Sequence, residues 1–338
     1  MPEIENHRTV LRTQQMAREI VVVDGLPNSG KAVMAPLIST LKRGELWHMN
    51  LTYDYCCILN GLGKMSLDAA RTMINLNSDL DLYQHMISRY TNFRKTDVSS
   101  AQMNLLAQKY LTRLKKPDGD EVVKRIRKER PILPIMTHHL FAMSEPLFDA
   151  LGNRLKLFIC NTRHPLWLVD YWFQRKWDGR AGKDPREMKM CFKSRYGIFP
   201  WYLAGWEGEY SRLGPLDKAV RVIAHFFKSF DQHYKLLHQS ERRKVFFVPF
   251  EWFVTQPLPF LTEITARLGT KRTALTSKMM ARLDVPRKLP KNALDSQKEK
   301  MSALMKRESI SKRSEEILES LCNDYERKYL AAFRWPSN

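Results

Sequence analysis

The sequence predicts an α/β fold in which helices flank a parallel β-sheet. Four short apolar runs have the length of buried strands, at residues 19–23, 132–136, 155–160 and 244–250. Long segments of helical periodicity separate them, such as 215–238 and 258–268. The first run leads through a glycine-bearing turn at 24–31 into a predicted helix at 32–41. Ligands bind at the carboxyl ends of such strands, so we expect the site there.

The chain of 338 residues is predicted to form one α/β domain, residues 1–338, with insertions. We expect a helical insertion at about 66–116, ending at the turn 116–120. A second insertion, at about 174–214, is rich in Gly, Pro and aromatic residues. It is either a lid or acceptor wall beside the site or a packed structural excursion. A basic C-terminal segment follows at about 271–338.

The charge balance predicts an anionic partner. The 56 Lys and Arg exceed the 36 Asp and Glu by a formal charge of +20. Residues 271–313 contain 13 Lys and Arg but only 4 Asp and Glu. A phosphate or sulfate ester, a nucleic acid and a lipid headgroup all fit this excess. No recognisable nucleic-acid module accompanies it, so nucleic acid is the least favoured of these partners.

The cell compartment is predicted from what the chain lacks. Residues 1–18 are polar, and no later stretch approaches the roughly 18 uninterrupted apolar residues of a membrane span. The cysteines form no CxxC pair and are odd in number, which fits neither a disulfide framework nor a zinc site. They are Cys56, Cys57, Cys160, Cys191 and Cys322. We therefore expect a cytoplasmic protein without a membrane span.

The turn after the first strand has the pattern of a phosphate-binding loop. Residues 25–31 match G-x-x-x-x-G-K, in which backbone N–H groups and a helix N-terminus hold an anion. Ala32 follows, where enzymes that hydrolyse ATP or GTP place the Ser or Thr that ligates Mg²⁺. Among the later strand ends, only Glu251 offers a carboxylate for a metal. The loop therefore predicts a nucleotide that is bound without a metal and without hydrolysis.

Four motifs in this order resemble the sulfotransferase family, over residues 19–270. They are the loop 25–30, Thr137-His138 at a strand end, the strand 155–160 with the Arg163-His164-Pro165 that comes after it, and Phe250-Glu251-Trp252-Phe253 with the later Leu268-Gly269. The resemblance implies a P-loop NTPase-like architecture. It also implies 3′-phosphoadenosine 5′-phosphosulfate (PAPS) as co-substrate and the transfer of a sulfuryl group without a metal.

The resemblance also implies roles for individual residues. The loop residues Pro27, Asn28, Ser29, Gly30, Lys31 and Ala32 correspond to those that bind the 5′-phosphosulfate. Arg163 corresponds to a 3′-phosphate ligand, and Tyr171 stands where the family has a second, a serine. Phe250 replaces the tyrosine of the family signature, and Arg287 and Lys288, with Lys291, resemble its late basic loop. Asn28, Ala32 and Met136 also differ from the family pattern.

The chemistry of the residues agrees with these roles. A histidine is suited to accept a proton near neutral pH, and His138 is the candidate base because it stands in the motif register. Lys31 is the candidate cation at the leaving oxygen, a task that Asn28 and Met136 cannot perform. The planar donors of Arg163 suit a phosphate, unless Arg163 pairs with Asp170 instead.

Two other functional classes stay open at this stage. In the first, the chain is a P-loop kinase-like enzyme. In the second, it is a catalytically weakened relative of the sulfotransferases that binds a nucleotide or a polyanion. The acceptor would be a hydroxyl or amine on a small molecule or an acidic glycan.

Overall fold

The computed structural model describes residues 8–180, 182–290 and 292–332, and Asp178 only by its backbone. The chain divides into two compact units. The first comprises Met1–Val23, Ala32–Phe158 and Ile264–Met279, and the second comprises Asp24–Lys31, Ile159–Glu263 and Met280–Asn338, each within the described residues. The single domain expected over 1–338 stays a prediction.

The sheet has the strands that the apolar runs predict. In chain order the strands are β1 (Glu19–Gly25), β2 (Ile132–Met136), β3 (Leu155–Thr162), β4 (Cys191–Ser194), β5 (Gly197–Pro200) and β6 (Val245–Pro249). The parallel four-stranded sheet has the order β2-β1-β3-β6, and β4 and β5 form a separate hairpin. In β1 and β2 every residue is buried, as expected for a parallel strand that is covered on both faces.

Helices connect and cover these strands, as the alternating pattern predicts. Their bounds are α1 (Lys31–Ser39), α2 (Thr52–Gly61), α3 (Leu67–Ile87), α4 (Ala107–Arg113), α5 (Asp120–Glu129), α6 (Glu145–Leu151), α7 (Pro165–Gln174), α8 (Trp177–Arg180), α9 (Glu207–Tyr210), α10 (Pro215–Leu236), α11 (Gln239–Arg242), α12 (Phe250–Thr255), α13 (Pro257–Arg267), α14 (Ala274–Arg282), α15 (Ala293–Arg307) and α16 (Lys312–Tyr325). A π-helical turn, Glu326–Leu330, continues α16. The α/β fold class expected from the sequence is confirmed.

The insertion at 66–116 is helical only in part. Ser66 caps α3 by accepting from the backbone N–H of Ala69, and α4 begins at Ala107, but turns occupy the residues between α3 and α4. In those turns Asn92 accepts from the backbone N–H of Arg94, and Asp97 accepts from that of Ser99. Such local bonds compete with helix formation, which explains why turns rather than helix connect α3 to α4.

The insertion at 174–214 contains a hairpin that periodicity did not reveal. In this hairpin Cys191 pairs with Pro200 and Ser194 with Gly197. Two of its aromatic residues, Trp201 and Tyr202, are buried, and the Tyr202 ring lies 5.2 Å from that of Phe226 on α10. Those two rings therefore contribute to the core, and a role as a lid or acceptor wall stays a prediction. No described helix is long and apolar enough to cross a membrane.

Candidate functional site

The predicted phosphate loop follows β1 as a tight turn. The backbone N–H of Ser29 donates to the carbonyl oxygen of Leu26 at 3.1 Å. Gly25, Asn28 and Gly30 all have positive φ angles, of 147°, 70° and 102°. Glycine adopts such angles freely, and asparagine is among the few other residues that tolerate the left-handed region. The positive φ at position 28 thus explains why an asparagine is tolerated there.

The two glycines are also required by close packing. A Cβ atom on Gly25 would collide with the carbonyl oxygen of Asn161, at the end of β3. A Cβ atom on Gly30 would lie 2.7 Å from Cδ2 of Phe250. The loop therefore rests directly on the end of β3 and on the Phe250 ring, so it cannot shift without disturbing both.

Lys31 is the first residue of α1 and is only 8% exposed. Its Nζ donates to the carbonyl oxygen of Gly25 at 2.7 Å. The ammonium thus lies against the backbone of the loop and places a positive charge there. Pro27 is half-buried, and Asn28 and Ala32 are exposed.

Arg163 lies beside this loop. Its Nη1 donates to the carbonyl oxygen of Asn28 at 3.0 Å, and its guanidinium carbon lies 4.3 Å from the centroid of the Phe250 ring. Burial lowers the pKa of Arg163, the negative charge of Glu251 opposes this change, and the positive charge of Arg287 adds to it. The site therefore concentrates positive charge that an anion would neutralise.

Arg163 does not depend on Asp170 for a partner. The Asp170 carboxylate forms an ion pair with Lys300 on α15 and also accepts from Nε2 of Gln297 at 3.4 Å. The Nε atom of Arg163 is buried and makes no hydrogen bond within the described part of the chain. The alternative in which Asp170 neutralises Arg163 is therefore not the arrangement observed.

Arg287 also reaches the Phe250 ring, at 5.7 Å from the centroid. Its guanidinium is held by the carbonyl oxygens of Asp284 and Leu283, at 3.0 and 3.1 Å. Two predicted site residues, Arg163 and Arg287, thus both lie against the ring of a third, Phe250. Lys288 is exposed beside them in the chain, and Lys291 lies outside the described residues.

Tyr171 is half-buried on α7, and its ring carries the guanidinium of Arg175 at 5.5 Å. A second 3′-phosphate ligand at this position stays a prediction.

Glu251, the one carboxylate that the sequence offered for a metal, is engaged within the protein. One of its oxygens accepts from the backbone N–H of His164 at 3.0 Å, and the other accepts from the Tyr325 hydroxyl at 2.8 Å. Glu251 is only 3% exposed. It therefore joins the start of α7 to the end of α16, a role that only long-range contacts reveal.

His138 follows β2 and is held by an aspartate that the sequence analysis missed. The backbone N–H of His138 donates to Oδ1 of Asp54 at 2.8 Å, and its ring Nδ1 lies 3.4 and 3.5 Å from the two carboxylate oxygens. Asp54 is buried on α2, whereas 27% of the His138 side chain is exposed. The neighbouring His139 is only 3% exposed and has a φ of 49°. The sequence signal that could have identified Asp54 is its charge inside the otherwise uncharged stretch 53–59.

The candidate residues fall into two groups, one in each unit. The second unit holds the loop residues up to Lys31, with Arg163, Phe250 and Arg287, and this group can bind an anion. The first unit holds His138, whose Nδ1 faces a carboxylate. A histidine with Nδ1–H directed at a carboxylate has Nε2 available to accept a proton.

Comparison with known proteins finds similarity in structure alone. No family model and no curated protein sequence matches the chain. The sulfotransferase domain from the curacin biosynthetic pathway is 10% identical, with a TM-score of 0.41 and 77% of each chain covered. The sulfotransferase domain from the Synechococcus PCC 7002 olefin synthase is 14% identical, with a TM-score of 0.38, covering 80% of this chain and 79% of that one.

Sulfotransferase STF1 from Mycobacterium tuberculosis H37Rv is 11% identical, with a TM-score of 0.38, covering 81% of this chain and 72% of that one. These are similarities of fold. In outline the chain is similar to sulfotransferase domains over about 80% of its length.

Proposed function

We propose that this protein is a sulfotransferase that uses PAPS as its sulfuryl donor. The observation that carries the proposal is that the guanidinium carbons of Arg163 and Arg287 lie 4.3 and 5.7 Å from the centroid of the Phe250 ring, and that Arg163 also donates to the carbonyl oxygen of Asn28 in the loop. A nucleotide with phosphates at both its 5′ and 3′ positions needs two separate anion sites. The loop supplies one, and the pair of guanidinium groups supplies the other.

The donor is assigned to residues of the second unit. Backbone N–H groups of the loop bind the 5′-phosphosulfate, with Lys31 as the nearby cation. Arg163 binds the 3′-phosphate, with Arg287, the exposed Lys288 and the hydroxyl of Tyr171 as further ligands. The guanidinium groups of Arg163 and Arg287 both lie against the Phe250 ring, so we assign Phe250 the part of holding them beside the loop.

In the transfer step, the acceptor oxygen or nitrogen forms a bond to sulfur while the bond from sulfur to the 5′-phosphate oxygen breaks. The products are a sulfate ester or sulfamate and 3′-phosphoadenosine 5′-phosphate (PAP). Lys31 neutralises the charge that develops on the leaving oxygen. His138 takes the acceptor's proton on Nε2. A basic surface favours an acidic glycan as acceptor, and the aromatic insertion favours a sugar or planar phenol.

The proposal needs no metal. Ala32 has no side-chain oxygen to ligate Mg²⁺, and the two oxygens of Glu251 accept hydrogen bonds from His164 and Tyr325. Transfer of a sulfuryl group develops less charge than transfer of a phosphoryl group, so backbone donors and one or two cations can take the place of the ion. The proposed compartment is the cytoplasm, because the cysteine pattern fits no disulfide framework.

Calorimetric titration of the protein with PAP, with and without EDTA, tests this proposal, with ATP–Mg²⁺ as comparator. We expect PAP to bind equally well with EDTA. Lys31→Ala should weaken PAP by roughly 10- to 100-fold, the value of one charge-assisted contact, while the exposed control Lys312→Ala leaves PAP binding unchanged. PAP binding that disappears with EDTA, together with Mg²⁺-dependent ATP turnover, would favour the kinase-like alternative.

One observation favours a second candidate. Met136, which stands where the family has a lysine, is buried, so no cation at that position accompanies His138. In this candidate the protein binds the nucleotide or a polyanion but transfers nothing. PAP affinity without transfer from PAPS to any phenolic, amine or glycan acceptor would support it. Binding of DNA or RNA that weakens steeply with salt would instead indicate a nucleic-acid partner.

A further inference from the structure

Asp54 is a buried carboxylate that contacts two atoms of His138. It is 3% exposed on α2, and it contacts the backbone N–H and the ring Nδ1 of His138. A buried charge is costly unless another group compensates it. Asp54 lies in the first turn of α2, where the helix dipole supplies part of that compensation. The backbone N–H of His138 adds to that compensation by donating to the carboxylate.

The geometry determines how the imidazole is presented. The backbone hydrogen bond, at 2.8 Å, fixes the chain at the end of β2. The two distances from Nδ1 to the carboxylate, 3.4 and 3.5 Å, direct the Nδ1 edge of the ring at Asp54. A carboxylate at this edge favours the tautomer with a proton on Nδ1 and leaves the lone pair on Nε2. Because part of the His138 side chain is exposed, the ring can then accept a proton from a bound acceptor.

We propose that Asp54 is a positioning residue that holds His138 in the tautomer with Nε2 free and stabilises the imidazolium formed when Nε2 accepts a proton. This inference rests on the proposed function for its catalytic consequence, but the tautomer itself does not depend on any activity. Asp54 does not touch the acceptor in this role and acts only through His138.

A second histidine and aspartate in the same unit provide a matched control. Nε2 of His48 lies 3.5 Å from Oδ1 of Asp81, another buried carboxylate. Asp81 has other partners, because it accepts from the Tyr53 hydroxyl at 2.7 Å and from Nδ2 of Asn50 at 3.0 Å. Asp81→Asn therefore tests the effect of neutralising a buried carboxylate beside a histidine that the proposal does not use.

The experiment compares Asp54→Asn with Asp81→Asn in the full chain. Asparagine keeps an oxygen that can accept the backbone N–H of His138, so the fold should be retained, but it removes the negative charge beside Nδ1. Long-range ¹⁵N–¹H spectra of the imidazole groups report the tautomer directly. We expect the His138 tautomer to shift away from Nδ1–H in Asp54→Asn and to stay unchanged in Asp81→Asn.

The kinetic readout separates positioning from structure. Asp54→Asn should lower kcat by about tenfold or more with little change in KM or PAP affinity, since only the proton transfer is affected. Asp81→Asn should leave kcat unchanged. If Asp54→Asn fails to fold, the wild-type spectrum still decides, because a His138 ring without a proton on Nδ1 overturns the inference.

The failures of the two proposals are distinguishable. If His138→Ala is inactive but Asp54→Asn keeps both the tautomer and kcat, the positioning role of Asp54 is wrong, whereas the assignment of His138 as the base is retained. If His138→Ala is fully active, the base assignment in the proposed function is wrong.

Discussion

The guanidinium group of Arg163 lies on the face of the Phe250 ring, 4.3 Å from its centroid, while its Nη1 donates to the carbonyl oxygen of Asn28 at 3.0 Å. The ring contact and the hydrogen bond together hold the guanidinium group beside the loop. The same ring also touches Gly30 and carries Arg287 on its surface. Phe250 thus links the loop to both arginines, and the first two predictions concern this link.

Arg163→Ala should weaken the binding of PAP more than the binding of AMP, which lacks the 3′-phosphate. A charge-assisted contact contributes about 1.5 to 3 kcal/mol, so we expect a loss of roughly 10- to 100-fold for PAP. Arg163→Lys should restore only part of it, since a lysine cannot form the flat contact with Phe250. Calorimetry with both ligands provides the measurement, and equal losses for PAP and AMP would make Arg163 a structural residue.

Gly30→Ala should both destabilise the protein and weaken its binding of PAP. Its φ of 102° is strained for any residue with a Cβ atom, and that atom would lie 2.7 Å from Phe250. We expect a cost of about 1 to 3 kcal/mol in the free energy of unfolding. The control is Gly63→Ala, which has a positive φ of 66° but open space around the new atom. Denaturant unfolding and PAP titration of both variants separate backbone strain from displacement of the loop, which Gly63→Ala should not cause.

His138→Ala should reduce turnover by roughly 10²- to 10⁴-fold, the usual contribution of a positioned general base. Nucleotide affinity should stay nearly unchanged, because the loop, Arg163 and Phe250 are separate residues with their own contacts. Initial rates of sulfuryl transfer with a phenolic acceptor, combined with PAP titration, provide the measurement. Turnover close to that of the wild type would direct the search for another base to the carboxylates and histidines of residues 174–214.

Stability should fall as the pH drops below the ordinary pKa of histidine, and His85 should account for part of this. Burial lowers the pKa of His85 to about 3, and the neighbouring His48 and Arg113 act in the same direction, while Glu45 and Asp81 oppose it. A depressed pKa means that the unfolded chain binds a proton that the folded chain does not. Stability is therefore fully present above about 6.5 and is lost as the pH falls toward 3.

From pH 6.5 to 5, the cost of keeping His85 neutral amounts to about 2 kcal/mol of unfolding free energy. His85→Gln removes this titration, so its stability should decline less than that of the wild type over the same interval. Urea unfolding at pH 7, 6 and 5 measures the difference. Parallel pH profiles for the two proteins would show that His85 is not buried in its neutral form.

Much of the fold could be predicted from short stretches of sequence. The strands β1, β2, β3 and β6 follow from apolar runs, and the loop 25–31 follows from its glycines and its place between a strand and a helix. These features depend on residues a few positions apart, so local periodicity and turn chemistry determine them. The hairpin at 191–200 escaped prediction because its short strands are only partly buried and do not alternate clearly.

The sequence by itself determined which residue types end each strand of this protein: a glycine loop with Lys31, a histidine at 138 and an arginine at 163. Only the tertiary structure decided their partners. Asp54 meets His138 across 84 residues, Arg163 meets Phe250, and Asp170 pairs with Lys300 rather than with Arg163. Such pairs form because the packing of distant elements brings compatible charges and rings together, and no spacing along the chain encodes that packing.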